Sequence, residues 1–302
     1  MENNHLETPV IKVNLNTCTR CGLCTKICPT RIFTSAKGDD MVTTHPEECV
    51  LCGQCICGCP TNSIVHSGFN SGNFERIKNK RPVTSESAFE FLTQRRSVRN
   101  YKEIIPPVEL LEKIAGIAGF APGSPHHRVG WVREMTIVTG KDNMNIVRDM
   151  TAEYIQKTIR LLNSWYLKAM ANFSELAKAG IGVVPDLQMR HDSYKKGNDL
   201  IVYNAPAAIF FHAPRFSSTP QTDCDTALQL VQLYAESFGL ATCWNGLIQG
   251  AAAGDHLKGF TKLAEFLHIP VENKCYAAMT IGYPSVSLHS IPERKVDVNW
   301  IN

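Results

Sequence analysis

Two stretches with the same cysteine spacing decide the fold of the N-terminal part of the chain: CTRCGLCTKICPT (18–30) and CVLCGQCICGCPT (49–61). Aligned without gaps, the two 13-residue stretches agree at seven positions, namely the four cysteines, a glycine, a proline and a threonine. Nine of the 12 cysteines lie in the first 59 residues, and eight of them fit C-x2-C-x2-C-x3-C-P twice, which leaves Cys57 over. The repeat predicts an internal duplication built around metal-binding thiols.

The doubled spacing resembles that of bacterial ferredoxins with two [4Fe-4S] clusters, and the resemblance covers about residues 10 to 68. In such ferredoxins the fourth cysteine of each run binds the other cluster. The resemblance therefore implies one cluster on Cys18, Cys21, Cys24 and Cys59, and a second on Cys49, Cys52, Cys55 and Cys28. A pair of zinc sites is the alternative, although zinc motifs usually separate two C-x2-C pairs by a dozen or more residues.

Composition restricts the class of protein. The chain has 302 residues, of which 44% are hydrophobic and 20% charged, and this length suits two globular domains. A net charge of +3 gives no electrostatic case for nucleic acid or membrane binding. The polar start MENNHLETPV does not resemble a signal peptide, and no apolar run approaches the roughly 20 residues of a membrane span. We expect a cytoplasmic protein without disulfides.

A polar and basic stretch, GFNSGNFERIKNKRP (68–82), separates the cysteine-rich region from the rest. We expect a cluster domain with its linker at residues 1–80 and a second domain at 81–302. The stretch is interpreted as a solvated linker, and the alternative is a docking patch for an acidic electron-carrier protein, formed by Arg76, Lys78, Lys80 and Arg81.

Helix and strand patterns alternate irregularly along the chain. Short strands are predicted at 11–15 and 63–67, and buried strands at 134–140, 205–213 and 274–284. Helices are predicted at 85–96, from the PPVELLEKIAGIAGF segment (106–120), over much of 143–180, and at 225–241, where a buried helix is expected. This order predicts an α+β fold, because regular βαβ units are missing from it.

Five motifs in the second region stand in the order seen in FMN-dependent nitroreductases. They are RRSVRNY (95–101), APGSPHHRVGW (121–131), LIVYNAPAAIFFHA (200–213), SFGLATCWNGLI (237–248) and IGYPSVSLHSIPERK (281–295). The similarity runs over about residues 84 to 302, and the whole chain resembles the ferredoxin-fused nitroreductases of anaerobic bacteria. It implies a small ferredoxin-like two-[4Fe-4S] domain followed by an FMN-dependent nitroreductase-like α+β sandwich.

The resemblance also implies which residues bind FMN. Basic and polar residues at the two ends of the region match those that hold the phosphate: Arg95, Arg96, Ser97, Arg99, Arg294 and Lys295. A second set matches positions along the flavin ring: Pro122, Gly123, Ser124, Asn198, Cys243, Trp244, Asn245 and Gly246. His126 stands where the family usually has asparagine, so that contact differs.

Purely structural roles for some of the same residues remain open. Cys243 and Trp244 are alternatively core residues, and His126 and His127 are alternatively exposed loop histidines without a role in proton transfer. Cys224 and Cys275 are expected to be buried apolar thiols.

The two regions together indicate a redox enzyme. Iron–sulfur clusters carry single electrons, whereas a flavin accepts single electrons and delivers pairs, so the first domain would feed the second, with one cluster nearer the donor and one nearer FMN. We expect reduction of a nitro, quinone or activated-alkene substrate, with electrons from reduced ferredoxin or flavodoxin rather than from NAD(P)H. The family further implies a homodimer, and segment 143–197 is expected to cover the substrate pocket. The alternatives are a redox sensor or electron carrier without a dedicated small-molecule substrate, and another FMN chemistry such as reductive dehalogenation or ene reduction.

Overall fold

The computed structural model describes residues 8–35, 40–69, 76–78, 80, 82–123, 134–254, 257 and 259–301. The chain divides into two compact units: unit 1 is Met1–Pro82 with Gly123–Val132, and unit 2 is Val83–Pro122 with Arg133–Asn302. Among the helices described, none combines the length and the apolar character needed to cross a membrane.

Unit 1 consists of short elements in two antiparallel strand pairs. Strand β1 pairs with β4, so that Ile11 lies opposite His66, and β2 pairs with β3, so that Phe33 lies opposite Thr43. The strands predicted at 11–15 and 63–67 are confirmed at three residues each. The elements in chain order are β1 (Ile11–Val13), α1 (Leu23–Ile27), β2 (Phe33–Ser35), β3 (Met41–Thr43), a 3-10 turn (Pro46–Glu48), α2 (Gln54–Gly58) and β4 (Ile64–His66).

The sequence duplication extends to the backbone conformation. Helices α1 and α2 lie 31 residues apart and each follows a glycine in the left-handed region, Gly22 at φ 68° and Gly53 at φ 70°. Two further equivalent pairs share this conformation without glycine: Arg20 (57°) with Leu51 (52°), and Arg31 (56°) with Asn62 (53°). Non-glycine residues rarely adopt positive φ, so its recurrence at the same offset identifies the two halves as one repeated structure.

The apolar core of unit 1 is small and includes cysteines. Ile11, Ile32, Phe33, Ile56 and Ile64 are buried together with two cysteines, Cys49 and Cys55. A unit with so little apolar core would gain much of its stability from a metal bound by its cysteines.

Unit 2 is built on a four-stranded antiparallel sheet with strand order β5-β6-β8-β7. This topology confirms the predicted α+β fold class. The strands are β5 (Glu134–Thr139), β6 (Ala207–Pro214), β7 (Ala241–Trp244) and β8 (Asn273–Gly282). The helices are α3 (Ser85–Gln94), α4 (Val108–Gly116) with a 3-10 turn (Ile117–Phe120), α5 (Lys141–Leu162), α6 (Trp165–Met170), α7 (Glu175–Gly182), α8 (Val184–Lys195), α9 (Pro220–Glu236), α10 (Gly246–Ala253) and α11 (Lys262–Phe266).

Helices cover both faces of this sheet. All residues of β6 are buried, and its alternating side chains divide between two cores. Phe210 lies in the core formed with α5, α10 and α11, whereas Ile209 and Phe211 lie in the core formed with α4 and α9. The predicted strands at 205–213 and 274–284 are confirmed, and Cys224 and Cys275 are fully buried. The helix predicted at 225–241 is present but displaced, as α9 (Pro220–Glu236), because the chain turns at Gly239 (φ 71°) and enters β7 at Ala241.

Two expectations need correction. Strand β5 lies at the edge of the sheet and only Val138 in it is buried, because no strand among the described residues pairs with its other side. Helix α5 is a core helix rather than part of a cover, whereas α6 and α7 bury none of their residues. Helix α3 also buries none, and Phe89 and Leu92 on its apolar side are 69% and 52% exposed.

Candidate functional site

The first group of four thiols surrounds one pocket in unit 1. Cys18, Cys21, Cys24 and Cys59 all line it, and Cys59 comes from the second cysteine run. Side chains of the strands, including Val13, Met41 and Ile64, form apolar walls. Burial raises the pKa of Cys24, and the neighbouring thiols Cys18 and Cys21 raise it further. The structure thus brings together the set that the ferredoxin resemblance implies for one cluster.

The second group of thiols, unlike the first, includes two buried cysteines. Burial raises the pKa of Cys55 to about 12, and the neighbouring thiols Cys49, Cys52 and Cys28 raise it further, so these three thiols lie near Cys55. Cys28 comes from the first cysteine run, just as Cys59 of the second run lies beside the first group. Cys49 and Cys55 are 9% and 7% exposed.

Backbone N–H groups point at several of these sulfur atoms. Arg20 N–H donates to Cys18 Sγ and Leu51 N–H donates to Cys49 Sγ, each at 3.4 Å, and the positive φ of both donors recurs with the duplication. Ser63 N–H donates to Cys59 Sγ at 3.2 Å. Although burial raises the pKa of Cys59, hydrogen bonds from Ser63 and Thr61 outweigh that effect and lower it. N–H···S bonds of this kind tune metal-bound thiolates.

His66 adds a hydrogen bond on the second thiol group, and sequence reasoning missed it. Its Nε2 lies 3.3 Å from Cys49 Sγ, and its Nδ1 accepts a hydrogen bond from Gly68 N–H at 3.0 Å. Because a neutral imidazole has one donor and one acceptor nitrogen, Nε2 carries the proton and donates to the sulfur. The equivalent position in the first half is Ser35, so only the second group has this donor. The signal in the sequence was a histidine in the strand predicted at 63–67, shortly after the second run of cysteines.

The donor set fits iron–sulfur clusters. Within the described ranges, no three His, Cys, Asp or Glu side chains form a site for a single metal ion. Four thiolates, one for each iron, are the ligands of a [4Fe-4S] cluster. Each group offers four thiols, and backbone N–H groups donate to Cys18 and Cys59 in the first group and to Cys49 in the second.

A large basic cavity lies in unit 2. It has a volume of about 1060 Å³, and the segment after α3 and the segment before the C-terminus form its opposite walls. The structure thereby brings together residues that are about 195 positions apart in the sequence. Its polar lining includes four arginines and one glutamate: Arg95, Arg96, Arg99, Arg294 and Glu293. Guanidinium groups bind phosphate oxygens in pairs, so this cavity suits an anionic phosphate.

The arginine segment is held by the sheet. Val98 N–H donates to Thr242 O at 3.0 Å, and Ser97 forms a parallel bridge with the same residue. Tyr101 is buried, and its hydroxyl contacts Val98 O at 2.8 Å and Thr280 Oγ1 at 2.9 Å. These contacts fix the loop against β7 and β8, so its guanidinium groups are presented from a rigid base.

The remaining walls of the cavity include residues that sequence reasoning did not assign. Phe89, Leu92 and Thr93 of α3 line it, together with Ile291 and Pro292. The apolar side of α3 therefore faces the cavity rather than the core. Arg96 Nη1 donates to Thr93 O at 2.6 Å and to Arg95 O at 2.7 Å, so this arginine also holds the end of the helix. An amphipathic helix directly before an arginine cluster was the available signal.

The turn at 243–246 lies beside the arginine segment, since Thr242 precedes it directly. Cys243 is buried and burial raises its pKa, which Arg99 and the Ser97 hydroxyl oppose. Trp244 is 54% exposed, so the reading of Trp244 as a core residue is wrong.

Asn245 is engaged entirely within the protein. Its Oδ1 accepts from Leu247 N–H and Ile248 N–H, which caps α10, and its Nδ2 donates to Ile201 O at 2.7 Å. Its backbone N–H donates to Ala278 O at 2.9 Å. We interpret Asn245 as the residue that fixes this turn rather than as a group free to contact a ligand.

Other predicted site residues do not line the basic cavity. Pro122 O accepts from Thr226 on α9 at 2.8 Å, and Asn198 is exposed at the end of α8, where its N–H donates to Ser193 O. Lys295 is exposed and pairs with Glu293 at 3.6 Å. Gly123 falls in unit 1. Ser124, His126 and His127 lie outside the described residues.

Comparisons with known proteins agree with this architecture. A model described as the nitroreductase family matches residues 92–283, and one described as a 4Fe-4S dicluster domain matches residues 17–64. A search of curated proteins gave no match. Among solved structures, an FMN-bound nitroreductase from Bacteroides fragilis is similar at 19% identity and TM-score 0.51, covering 72% of this chain and 100% of its own. One from Desulfitobacterium hafniense is similar at 20% identity and TM-score 0.52, covering 73% and 100%.

At such identities the solved structures show the fold alone, whereas the family match spans more than half of the chain. The antiparallel sheet with helices on both faces and the arginine loop held against β7 lie inside the matched range. The chain therefore belongs to the nitroreductase family, whose members are FMN-dependent oxidoreductases, and carries an N-terminal 4Fe-4S dicluster domain.

Proposed function

We propose that this protein is an iron–sulfur flavoprotein that passes electrons from a low-potential donor through two [4Fe-4S] clusters to FMN, for reduction of a nitro, quinone or activated-alkene substrate. The observation that carries the proposal is the presence, in one chain, of two groups of four thiols and a large basic cavity. Bound FMN would supply the conversion between single electrons and electron pairs.

The phosphate of FMN would lie among the arginines of the basic cavity. Arg99 and Arg294 reach it from opposite walls, and Ser97 adds a hydroxyl. Each guanidinium offers several N–H donors, and a charge-assisted hydrogen bond to phosphate contributes more than a neutral one. Phe89 and Leu92 supply apolar surface at the same cavity. Arg95 and Arg96 add positive charge, and Arg96 keeps the helix end in place.

The flavin ring would extend from the phosphate site toward the turn at 243–246. Support comes from the bridge between Ser97 and Thr242, which joins the arginine segment to this turn. Trp244 and Gly246 remain our candidates for ring contacts, with Cys243 buried behind them and Asn245 holding the turn. Pro122, Gly123, Ser124, His126, Asn198 and Lys295 stay as predictions from the family resemblance.

We further propose a homodimer. The segment 285–301 forms neither helix nor strand and carries exposed apolar side chains, among them Val296 at 83% and Trp300 at 82% exposure. Apolar groups in this number are seldom left in water, and a second copy would cover them. Analytical ultracentrifugation of the full chain tests this: a dimer is expected, and a monomer at micromolar concentration contradicts it.

The proposed function is tested on protein purified without oxygen. Iron, acid-labile sulfide and flavin are measured first, and we expect about eight irons and one FMN per chain. Absorption spectra are then recorded during addition of reduced ferredoxin and, separately, NADPH. Bleaching of clusters and flavin together by ferredoxin supports the proposed electron path. Zinc in place of iron, or absence of flavin, overturns it.

A substrate panel separates the remaining functions. Turnover of nitroaromatic, quinone or enoate compounds supports the reductase. A redox sensor or electron carrier predicts a loaded protein with negligible steady-state turnover, and reductive dehalogenation predicts halide release.

A further inference from the structure

The two halves of unit 1 differ sharply in charge. Residues 8–35 contain four cations and no Asp or Glu, whereas residues 40–69 contain three carboxylates and no Lys or Arg. The cations of the first half are all exposed: Lys12, Arg20, Lys26 and Arg31. In the second half Glu47 and Glu48 are exposed, and Asp40 is half-buried.

The contrast appears at structurally equivalent positions. Arg20 corresponds to Leu51 and Arg31 to Asn62, and each pair shares the same left-handed backbone conformation. At every equivalent pair that differs in charge, the first half is the more positive. Within residues 8–35 and 40–69 the other such pairs, all 31 residues apart, are Pro9 with Asp40, Lys12 with Thr43, Asn16 with Glu47, Thr17 with Glu48 and Lys26 with Cys57. Since the backbone is alike, the charge difference is not a consequence of different folding.

The two thiol groups also differ in access to solvent. In the second group Cys49 and Cys55 are buried, Cys28 is half-buried and Cys52 is exposed, and His66 lies against the sulfur of Cys49. In the first group Cys21 is exposed and the other three thiols are half-buried. A protein that exchanges electrons with a cluster has to approach it closely, so the first group is the more accessible one. The basic half supplies three of the four thiols of the group without a buried member, Cys18, Cys21 and Cys24, and the fourth, Cys59, comes from the other half.

We propose that the surface formed by residues 8–35 is the docking site for an acidic one-electron carrier protein, which delivers electrons at the cluster held by Cys18, Cys21, Cys24 and Cys59. This inference rests on the proposed function, because it requires that cluster. Each encounter oxidises the carrier by one electron and reduces the cluster by one, and no bond is made or broken.

Charge complementarity argues for an acidic protein partner. Opposite charges steer two proteins together and set their relative orientation. Arg20 is partly neutralised by Asp40 at 2.8 Å, so Lys26 and Arg31 carry most of the unpaired charge. Arg76 Nη2 donates to Pro60 O, next to Cys59, at 3.3 Å, which adds a fifth cation beside the first thiol pocket. The proposed docking surface therefore differs from the linker patch considered in the sequence analysis, which consisted of linker residues alone.

The test uses the full iron–sulfur protein and purified flavodoxin as the acidic carrier. Lys26→Gln/Arg31→Asn removes two positive charges from the first half. Asparagine is chosen at position 31 because the equivalent residue of the second half, Asn62, adopts the same left-handed conformation. Lys78→Gln/Lys80→Gln removes the same charge from the linker, and Glu47→Gln/Glu48→Gln neutralises the acidic half. Binding of oxidised flavodoxin is measured by calorimetry, and cluster reduction by reduced flavodoxin is followed by stopped flow, at about 20 mM and about 500 mM ionic strength.

We expect Lys26→Gln/Arg31→Asn to weaken binding and to slow second-order reduction at least about threefold at low ionic strength, with the difference fading at high ionic strength. The linker variant should behave like the original protein. Unchanged binding in Lys26→Gln/Arg31→Asn, an equal loss in the linker variant, or no binding of flavodoxin to the original protein overturns the inference. Iron content and reduction by dithionite report on the proposed function separately, so that a chain without clusters is distinguished from a chain that docks its donor elsewhere.

Discussion

Replacement of Arg99 by glutamine should weaken FMN binding and leave riboflavin binding almost unchanged. Arg99 lines the basic cavity and is exposed, and its contacts within the protein are modest: an Nη1 donation to Ser97 O at 3.3 Å and a position 5.7 Å from the Tyr203 ring centre. A charge-assisted hydrogen bond to phosphate contributes about 1.5–3 kcal/mol, so its loss raises the Kd for FMN about 10- to 150-fold.

The assay titrates flavin-free protein with FMN and with riboflavin and follows quenching of flavin fluorescence. Riboflavin has the same ring and ribityl chain but no phosphate, so it isolates the part of affinity that the arginine supplies. Arg294→Gln, on the opposite wall, should give a loss of the same kind. Arg215→Gln removes an exposed arginine outside the cavity lining and is the matched control.

Stability is measured in parallel, because Arg99 also stacks on an aromatic ring. Loss of that contact should cost at most about 1 kcal/mol in free energy of unfolding. An equal loss of affinity for FMN and riboflavin, or a loss in Arg215→Gln as large as in Arg99→Gln, would refute the assignment of the cavity to the phosphate.

Four further outcomes are expected. Cys59→Ser should reduce iron from about eight to about four atoms per chain, since it removes one ligand of the first group; elemental analysis checks this, and retention of all iron contradicts the ligand assignment. His66→Leu should lower the midpoint potential of one cluster by roughly 40 mV, the equivalent of about 1 kcal/mol for one electron, while Ser35→Ala leaves both potentials unchanged in an EPR-monitored titration. Asp199→Ala should destabilise unit 2 by about 2–4 kcal/mol in chemical denaturation, because its carboxylate accepts three backbone N–H bonds at 2.8–2.9 Å, and a smaller loss than in surface controls would be inconsistent with that role. Burial lowers the pKa of His212 from 6.5, so as the pH drops the unfolded chain binds a proton at this histidine before the folded chain does, and stability falls below pH 6.5. His212→Gln should reduce the dependence of the free energy of unfolding on pH by up to about 1.4 kcal/mol per pH unit. An unchanged pH dependence in the variant would contradict this role of His212.

The two thiol groups could be predicted from the sequence because the spacing of cysteines that defines them is local. Each run of cysteines spans 11 residues, and the spacing alone specifies a loop that wraps around a metal centre. Exchange of Cys28 and Cys59 between the groups is not local, and it was available only through the ferredoxin resemblance. The left-handed conformation of Gly22 and Gly53 likewise agrees with their place in the repeated spacing.

The cavity walls could be predicted only in part, because they combine distant segments. The arginines at 95–99 and Arg294 were assigned through the family motifs, whereas Phe89 and Leu92 were not assigned to the site. Helical periodicity shows that a helix has an apolar side and does not show what covers it. The same limit applies to segment 143–197, where α5 turned out to be a core helix.

Asn245 shows how a motif residue can be identified correctly while its role is misread. The family pattern marks the turn at 243–246, but the pattern cannot show that the side chain caps α10 and bonds Ile201 O. That hydrogen bond ties the turn to the loop that Asp199 organises, and Tyr203 of the same loop stacks with Arg99. The proposed phosphate site and the turn beside it therefore share one supporting loop, so substitutions at Asp199 should disturb flavin affinity as well as stability. An Asp199→Asn protein, which keeps an acceptor oxygen for two of the three N–H groups, should lose less of both.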